Sequence, residues 1–341
     1  MRNGLSPPRI HRTLGLMAAA AFLGCSGSGG GPAGPGPVSS QDGGASLTYQ
    51  GQVFDHMSGA PLAGVRVVAG GRSSTTDQAG RFAISAGEGS ELVLLGAGYY
   101  DRVTAVEGLS ANLSVVPRTF DMAAFNDVAR DYAAGTVRWV SSPDVYVDIR
   151  PHGFVSGTSV PAAWIEQVVA LTPRFLAGWS GGRVVARSVT VGSTPPSPGT
   201  VGTLVVSFDE DASRYPSSSA AGVAVASWDA SGAIGSATVR LRFSGLSGDA
   251  AALSRQAVLG HELGHALGLA HMDGATFSMM APVIRTPELT TFDLAAGALL
   301  YDRRPGTRAD DREAGSGVRS ALAPSTATAA ATCGVEIETA R

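Results

Sequence analysis

The sequence of 341 residues has no lysine, only two cysteines and no apolar run long enough to cross a membrane as a helix. All 25 basic residues are therefore arginine, a bias for which we have no physical explanation. Two cysteines form at most one disulfide, which excludes the class of small secreted domains framed by several disulfides. A spanning helix needs about 20 consecutive apolar residues, so we predict no transmembrane helix.

Length, composition and charge narrow the class of protein further. The chain has room for two domains of ordinary size, and its apolar fraction of 44% supports buried cores. Its 45 glycines and 19 prolines favour a β-rich, loop-rich architecture. The net charge of −3 becomes −6 once the arginines of the leader described next are removed. This charge indicates no nucleic acid or anionic surface as a partner, and we expect a monomer.

Residues 1–24 have the pattern of an export signal. Arginines within the first twelve residues precede an apolar stretch at residues 14–23 that is too short to span a bilayer. This stretch ends in Phe22-Leu23-Gly24-Cys25, which resembles a bacterial lipobox. The resemblance implies that Cys25 is the lipidated first residue of the mature chain. A plain secretory signal and an incidental cysteine are the alternatives.

The segments next to this signal and at the far end of the chain have low-complexity composition. Ser26, directly after the predicted lipidation site, resembles the sorting rule for the outer membrane, so we expect an outer-membrane or cell-surface lipoprotein, with a secreted protein as the alternative. Residues 25–46 are rich in glycine, proline and serine, which is typical of a flexible linker. Residues 310–341 have few large apolar side chains and are predicted to form a disordered tail. Cys333, within that tail, is expected to be an idle thiol.

The most informative stretch runs from His261 to His271 and reads H-E-x-x-H-x-x-G-x-x-H. His261 and His265 are four residues apart, so both imidazoles lie on one face of a helix and can bind one metal ion. Gly268 tolerates the bent backbone that ends the helix, after which His271 returns as a third ligand. Three neutral nitrogens leave the fourth position of tetrahedral zinc open, as in catalytic sites. The chance of this pattern in a chain of this composition is roughly one in a hundred thousand.

Glu262 supplies the remaining group for catalysis. It follows the first histidine but lies about 100° around the helix, so its carboxylate can lie beside a zinc-bound water instead of on the metal. Zinc lowers the pKa of that water to about 7, and a nearby carboxylate can take its proton and pass it to the leaving amine. These residues predict hydrolysis of a peptide bond with Glu262 as the general base.

This stretch resembles the metzincin clan of zinc endopeptidases and, within it, the matrixin-like branch. A second mark of the clan is a methionine turn, which Ser278–Pro282 resembles. Alignment of the proline makes Met280 the turn methionine, with Met279 as the alternative. The residues that follow the third histidine and the turn methionine match no familiar subfamily signature, so the subfamily stays open.

The resemblance implies the fold and the partners of this region. Residues 118–309 are expected to form an α+β catalytic domain with a mixed sheet, binding one Zn²⁺ and acting on a protein or peptide substrate. Its zinc-binding active-site helix runs from about Asp249 to Gly268. Leu289–Tyr301 resembles the closing helix of the family, with Thr290 or Thr291 as its N-cap.

Two parts of this domain are predicted to contact the substrate. The strand ending at Phe243 occupies the position of the family's substrate-binding edge strand, and an unpaired edge can bind an extended peptide by strand addition. The segment Pro282, Val283 and Ile284, with Arg285 at its end, corresponds to the wall of the pocket just past the cut bond. We expect hydrophobic residues to be preferred there, unless Arg285 turns inward and selects acidic ones.

Residues 47–117 alternate short apolar runs with turn signals, which predicts an all-β sandwich. The turn Asp77-Gln78-Ala79-Gly80 has the residues that a hairpin requires. The region resembles the carboxypeptidase regulatory-like, transthyretin-like sandwich through Gly51–Asp55, Gly59–Val65, Thr75–Phe82 and Gly98–Tyr100. The resemblance implies a non-catalytic spacer or adhesion module.

Several other polar residues carry weaker signals. Asp209-Glu210-Asp211 clusters the oxygen ligands that Ca²⁺ prefers, although a solvated acidic loop is the commoner meaning of such a run. His56 is expected to be a turn residue and His152 a structural one.

The whole chain is predicted to be a surface-anchored zinc endopeptidase. The competing class is a non-catalytic adhesion lipoprotein with a relic zinc site, against which the presence of Glu262 argues.

Overall fold

The computed structural model describes residues 47–130, 135–246, 250–272, 276–307 and 310–313, together with the backbone of 329–336. The predicted signal peptide, Cys25 and the linker lie outside the described residues. Contacts place residues 45–341 in one compact unit. Among the described residues, no helix has the length and apolar character needed to cross a membrane.

The first part of this unit consists of short strands, and in most of them more buried side chains alternate with less buried ones. They are β1 (Leu47–Asp55), β2 (Arg66–Ala69), β3 (Arg72–Thr75), β4 (Arg81–Ala86), β5 (Glu91–Leu95), β6 (Asp101–Ala105) and β7 (Ser110–Val115). β1 lies between β4 and β7 in one sheet, and β6, β5, β2 and β3 follow one another in the second. Inward side chains of both sheets, including Val53, Ile84, Leu92 and Val115, share one core. Two sheets around a common core are a β-sandwich.

The predicted turn at Asp77–Gly80 is confirmed. The Oδ1 atom of Asp77 accepts hydrogen bonds from the N–H groups of Ala79 at 2.9 Å and Arg81 at 2.8 Å. Gly80 has a φ of +74°, and a Cβ there would lie 2.6 Å from the carbonyl oxygen of Val53. Only glycine fits such a backbone and such a close approach.

The strand before this turn, β3, was not predicted from the sequence, because its residues are polar and mostly exposed.

The second part of the unit combines separate helices with a mixed sheet, as the α+β prediction requires. The helices are α1 (Met122–Arg130), α2 (Ala162–Trp179), α3 (Ala251–Ala266) and α4 (Thr291–Asp302). The strands are β8 (Arg138–Trp139), β9 (Asp144–His152), β10 (Ser188–Gly192), β11 (Thr203–Asp209), β12 (Ala220–Trp228) and β13 (Ala233–Leu241). α2 and α3 pack on each other, and α3 packs on β12 and β13.

The order of strands in this sheet corrects one prediction about substrate binding. β10, β9, β11 and β13 are parallel neighbours, and β12 pairs antiparallel with β13. β13, the strand that leads to Phe243, therefore lies between two strands and is not the edge. Both β12 and β13 are largely buried on both faces, so their apolar patterns could not indicate which one lies farther from β11.

The prediction of a disordered tail after residue 310 is wrong for two segments. β14 (Asp311–Arg312) pairs antiparallel with β6 of the sandwich. β15 (Ala329–Glu336) pairs antiparallel with β12, so the backbone of Cys333 lies in a strand. Strand pairing uses main-chain hydrogen bonds, so a segment with few large side chains can still add to an open edge. Regular structure therefore continues beyond residue 309, the predicted end of the catalytic domain.

A buried ionic network connects the sandwich with the end of α4. Arg102 on β6 pairs with Asp302 at 3.0 Å. Arg303 pairs with Asp311 at 2.6 Å, and Arg130 of α1 pairs with the same carboxylate at 3.1 Å. Breaking a buried pair leaves an uncompensated charge and is strongly destabilising, so this network should make the fold sensitive to acid.

Asp311→Asn tests this sensitivity. Burial by itself raises the pKa of Asp311, but the guanidinium groups of Arg303, Arg130 and Arg102 outweigh it and lower the pKa to about 2. A carboxylate with a lowered pKa stabilises the fold above its unfolded pKa of about 3.9 and loses that contribution as the pH falls through the folded value. We expect the substitution to lower the free energy of unfolding by about 3–5 kcal/mol at neutral pH.

Urea titrations at several pH values measure this effect. The difference between wild type and Asp311→Asn should shrink as the pH falls from about 4 to about 2. Glu313→Gln is the matched control, because its pair with Arg118 is exposed and should contribute little. A difference for Asp311→Asn that stays constant over this pH range would contradict the assignment.

Candidate metal centre

The candidate metal centre is built on α3, whose residues from Ala257 to Ala266 are all buried. The end of this helix is held by side chains from distant parts of the chain. Trp139 Nε1 donates to the carbonyl of Ala266 at 2.9 Å, and the Tyr301 hydroxyl donates to that of Leu267 at 3.0 Å. Carbonyl groups at a helix end lack partners within the helix, so these bonds fix the helix where the histidines lie.

Gly268 produces the bend that the motif predicts. Its φ is +101°, and a Cβ there would overlap the carbonyl oxygen of Val137. Its N–H donates to the carbonyl of His265 at 3.0 Å, closing the last turn of the helix. The chain then reverses, and His271 arrives beside the two helical histidines.

The three predicted histidines come together in space. The Nε2 atom of His261 lies 2.9 Å from that of His265 and 3.2 Å from that of His271. The candidate ligand atoms of all three lie within 4.8 Å of one another. Tetrahedral zinc with Zn–N distances of about 2.0–2.1 Å holds its nitrogens about 3.4 Å apart. The donor set and its spacing therefore fit this ion.

Hydrogen bonds to the other ring nitrogens prepare His261 and His265 for metal binding. Nδ1 of His261 lies 2.6 Å from the carbonyl oxygen of Met279, and Nδ1 of His265 lies 2.7 Å from that of Leu269. A carbonyl only accepts, so each Nδ1 carries the hydrogen and each Nε2 keeps its lone pair. Burial and the neighbouring histidines lower the pKa of His261, and burial with the neighbouring His271 lowers that of His265 to about 3. Neutral imidazoles are the form that binds metal.

Glu262 is a fully buried carboxylate of α3. It is 0% exposed, and neither of its oxygens has a hydrogen-bond partner among the described residues. Burial raises its pKa well above the usual value. The side chain reaches β12 at Gly222, where an added Cβ would lie 2.5 Å from Glu262 Cγ. Buried polar groups without partners are rare and concentrate at functional sites.

Two glycines of α3 allow the methionine turn to approach the helix. A Cβ at Gly260 would lie 2.7 Å from Met279 Sδ, and one at Gly264 would overlap Met280 Sδ. Met280 therefore packs on the turn of α3 between the two helical histidines, while Met279 packs one turn earlier. A glycine inside a helix costs about 1 kcal/mol relative to alanine, so Gly260 was an available signal of this contact that sequence reasoning missed.

Asp293 holds the methionine turn and was also missed. Its carboxylate accepts hydrogen bonds from the Ser278 hydroxyl and from the N–H of Met279, the latter at 2.9 Å. The same carboxylate accepts from the N–H of Thr290, whose hydroxyl accepts from the N–H of Asp293. This capping box selects Thr290 as the N-cap of α4, and the spacing T-x-x-D was its signal.

A groove lies between α3 and the segment after the methionine turn. It has a volume of about 260 Å³ and is lined by Leu253, Ser254, Ala257, Ile284, Arg285, Thr286 and Pro287. Of the predicted pocket wall, Ile284 and Arg285 line this groove, whereas Pro282 and Val283 do not. The lining mixes apolar side chains with two hydroxyl side chains and one cationic one.

The acidic run at the end of β11 does not form a cation cage. Asp209 pairs with Arg214 at 3.2 Å, and Glu210 accepts from the N–H of Phe243 at 3.0 Å. Asp211 caps the short turn that follows it. Asp209 and Asp211 share Arg214, Glu210 bonds to the backbone at Phe243, and Asp209 is buried, so all three carboxylates already have protein partners. The run therefore stabilises the local fold, and its geometry does not support calcium.

Two other histidines contact a carboxylate and a backbone carbonyl outside the histidine cluster. His152 Nε2 lies 3.3 Å from Asp148 Oδ2, in agreement with a structural role. His56 lies in the turn after β1, as predicted, and its Nε2 lies 3.0 Å from the carbonyl oxygen of Ala295 in α4. The second contact connects the sandwich with the helical part, which the sequence did not indicate.

Comparison with known proteins agrees with this geometry. Residues 187–300 match the family model of the peptidases described as Matrixin. The match includes α3, the methionine turn and most of α4, and it supports a matrixin-like catalytic domain with zinc metallopeptidase activity. No curated protein matches the chain. Among solved structures, it is similar to a protein of unknown function from Bacteroides fragilis, with 15% identity and a TM-score of 0.18, covering 40% of this chain and 44% of that one.

Proposed function

We propose that this protein is a zinc-dependent endopeptidase with His261, His265 and His271 as the metal ligands and Glu262 as the general base. The proposal is carried by one observation: the three Nε2 atoms converge beside a buried carboxylate that has no hydrogen-bond partner in the described part of the chain. No comparable observation favours a purely adhesive protein.

The residues divide the chemistry among them. When bound, zinc supplies a Lewis acid that polarises the scissile carbonyl and lowers the pKa of water. The Glu262 carboxylate accepts the proton of the attacking water and delivers it to the nitrogen of the leaving amine. Met280 positions the helical histidines by packing against Gly264. Gly222 lets β12, and a peptide aligned along β12, approach the Glu262 carboxylate.

An activity assay tests the proposal directly. We expect the zinc-loaded protein to cleave an unfolded protein substrate, and we expect a chelator to abolish cleavage and added zinc to restore it. Cleavage that survives complete removal of the metal would contradict the proposal. Zinc binding without cleavage of any substrate would favour the adhesion class.

Substrate preference depends on the groove beside α3. Burial of a Leu- or Phe-sized side chain there contributes about 1.5–3 kcal/mol, so we expect hydrophobic residues just past the cut bond. Cleavage-site sequencing of a peptide library with wild type and Arg285→Ala measures this, and the preference should be the same in both. An acidic preference that disappears in Arg285→Ala would show that the guanidinium of Arg285 selects the substrate.

We further propose that the protein is exported and lipid-anchored through Cys25, with a transthyretin-like sandwich as a spacer between the membrane and the catalytic part. Cys25→Ala should release the protein from washed membranes. One acyl chain binds only marginally, and stable anchoring needs more than one. Retention of the variant in the washed membrane fraction would show that another element anchors the chain.

A further inference from the structure

The C-terminal strand β15 occupies the outer edge of β12. The two strands pair antiparallel from Trp228, opposite Ala329, to Ala220, opposite Glu336. β15 also contacts α3, the helix that carries the histidines. Within the described part of the chain, β15 is thus the last strand of the sheet, and it uses the main-chain hydrogen-bonding edge that β12 would otherwise present.

The register of this pairing places the tail at the candidate catalytic carboxylate. Gly222 pairs with Val335, and Gly222 is the residue whose α-carbon lies against the Glu262 side chain. The pairing shifts by one residue between Ala220 and Gly222, next to the same carboxylate. The tail therefore runs along β12 and past Glu262, and an extended peptide added to the same edge would follow this path.

We infer that β15 is an intramolecular competitor of the substrate, which keeps the peptidase latent by occupying the edge of β12 beside Glu262. This inference rests on the proposed peptidase function. Strand addition derives its affinity from main-chain hydrogen bonds, so the tail and a substrate need the same donors and acceptors of β12 and exclude each other. A tethered segment has an effective concentration in the millimolar range, so even weak pairing competes well with dilute substrate.

Three forms of the protein test the inference: the full chain, a chain ending at residue 328, and a control chain ending at residue 336. The control loses residues 337–341 but keeps β15. Hydrogen exchange of the metal-free proteins reports on pairing without activity. We expect the amides of residues 220–228 that point toward β15, as opposed to those that face β13, to exchange at least about tenfold faster in the chain ending at 328 and to be unchanged in the control.

Steady-state kinetics then show whether the pairing of β15 with β12 inhibits cleavage of the substrate. The zinc-loaded chain ending at residue 328 should have kcat/KM for an unfolded protein about tenfold or more above the other two forms. A synthetic peptide of residues 329–336, added at about millimolar concentration, should reverse the gain, and a scrambled peptide should not. Unchanged exchange of β12, or faster exchange with equal kcat/KM in active proteins, would overturn the inference.

A binding measurement separates this inference from the peptidase proposal. If none of the three forms cleaves the substrate, the peptidase proposal fails. Calorimetry with a peptidyl hydroxamate and the zinc-loaded proteins then decides the role of the tail. Binding at least about tenfold tighter to the chain ending at residue 328 supports β15 as the occupant of the cleft, whereas equal affinity for all three forms overturns it.

Discussion

Replacement of Glu262 by glutamine should lower kcat/KM by at least about 10²–10⁴-fold while the protein still binds one zinc ion. Glutamine keeps the shape of the side chain but cannot accept a proton from the attacking water. The three histidines are unchanged, so the metal should stay. The metal-free variant should be at least as stable as wild type, because neither oxygen of Glu262 has a hydrogen-bond partner among the residues that the structure describes.

Three measurements on the same preparation make this result specific: zinc content by mass spectrometry, turnover of an unfolded protein, and the free energy of unfolding. Glu166→Gln on the exposed side of α2 is the matched control and should change none of them. Wild-type turnover by Glu262→Gln with zinc bound would show that this carboxylate is not the base.

Replacement of His261, His265 or His271 by alanine should remove most zinc binding and with it the activity. Each substitution removes one of three protein nitrogens, and a metal bound only by the folded state stabilises that state according to its affinity. Wild type at a zinc concentration about 1,000 times Kd should gain about 4 kcal/mol of unfolding free energy. Each variant should lose most of this gain.

Thermal unfolding with and without zinc checks this prediction without an activity assay. His152→Ala is the control, since His152 contacts Asp148 and lies outside the cluster. It should keep the full stabilisation by zinc. A variant of one of the three clustered histidines that keeps full zinc content and full activity would remove that residue from the ligand set.

The sequence by itself determined the features that depend on neighbouring residues. The four-residue spacing of His261 and His265 places both on one helix face in any helix. Gly268 adopts the positive φ that the motif requires. The turn at Asp77–Gly80 and the start of α4 at Thr290 were likewise predictable, because turns and caps depend on hydrogen bonds over two to four residues.

Only the tertiary structure decided which distant segments pair. β12 and β13 have similar apolar patterns, and only the pairing shows that β13 lies next to β11 while β12 lies next to β15. The tail was predicted to be disordered because it lacks large apolar residues, yet β15 pairs with β12 through its backbone, which composition does not reveal. Glu262 and Gly222 also lie in contact although they are forty positions apart in the sequence. Local patterns specify helices, turns and ligand spacing, whereas strand order and close backbone approach depend on long-range packing that no local pattern contains.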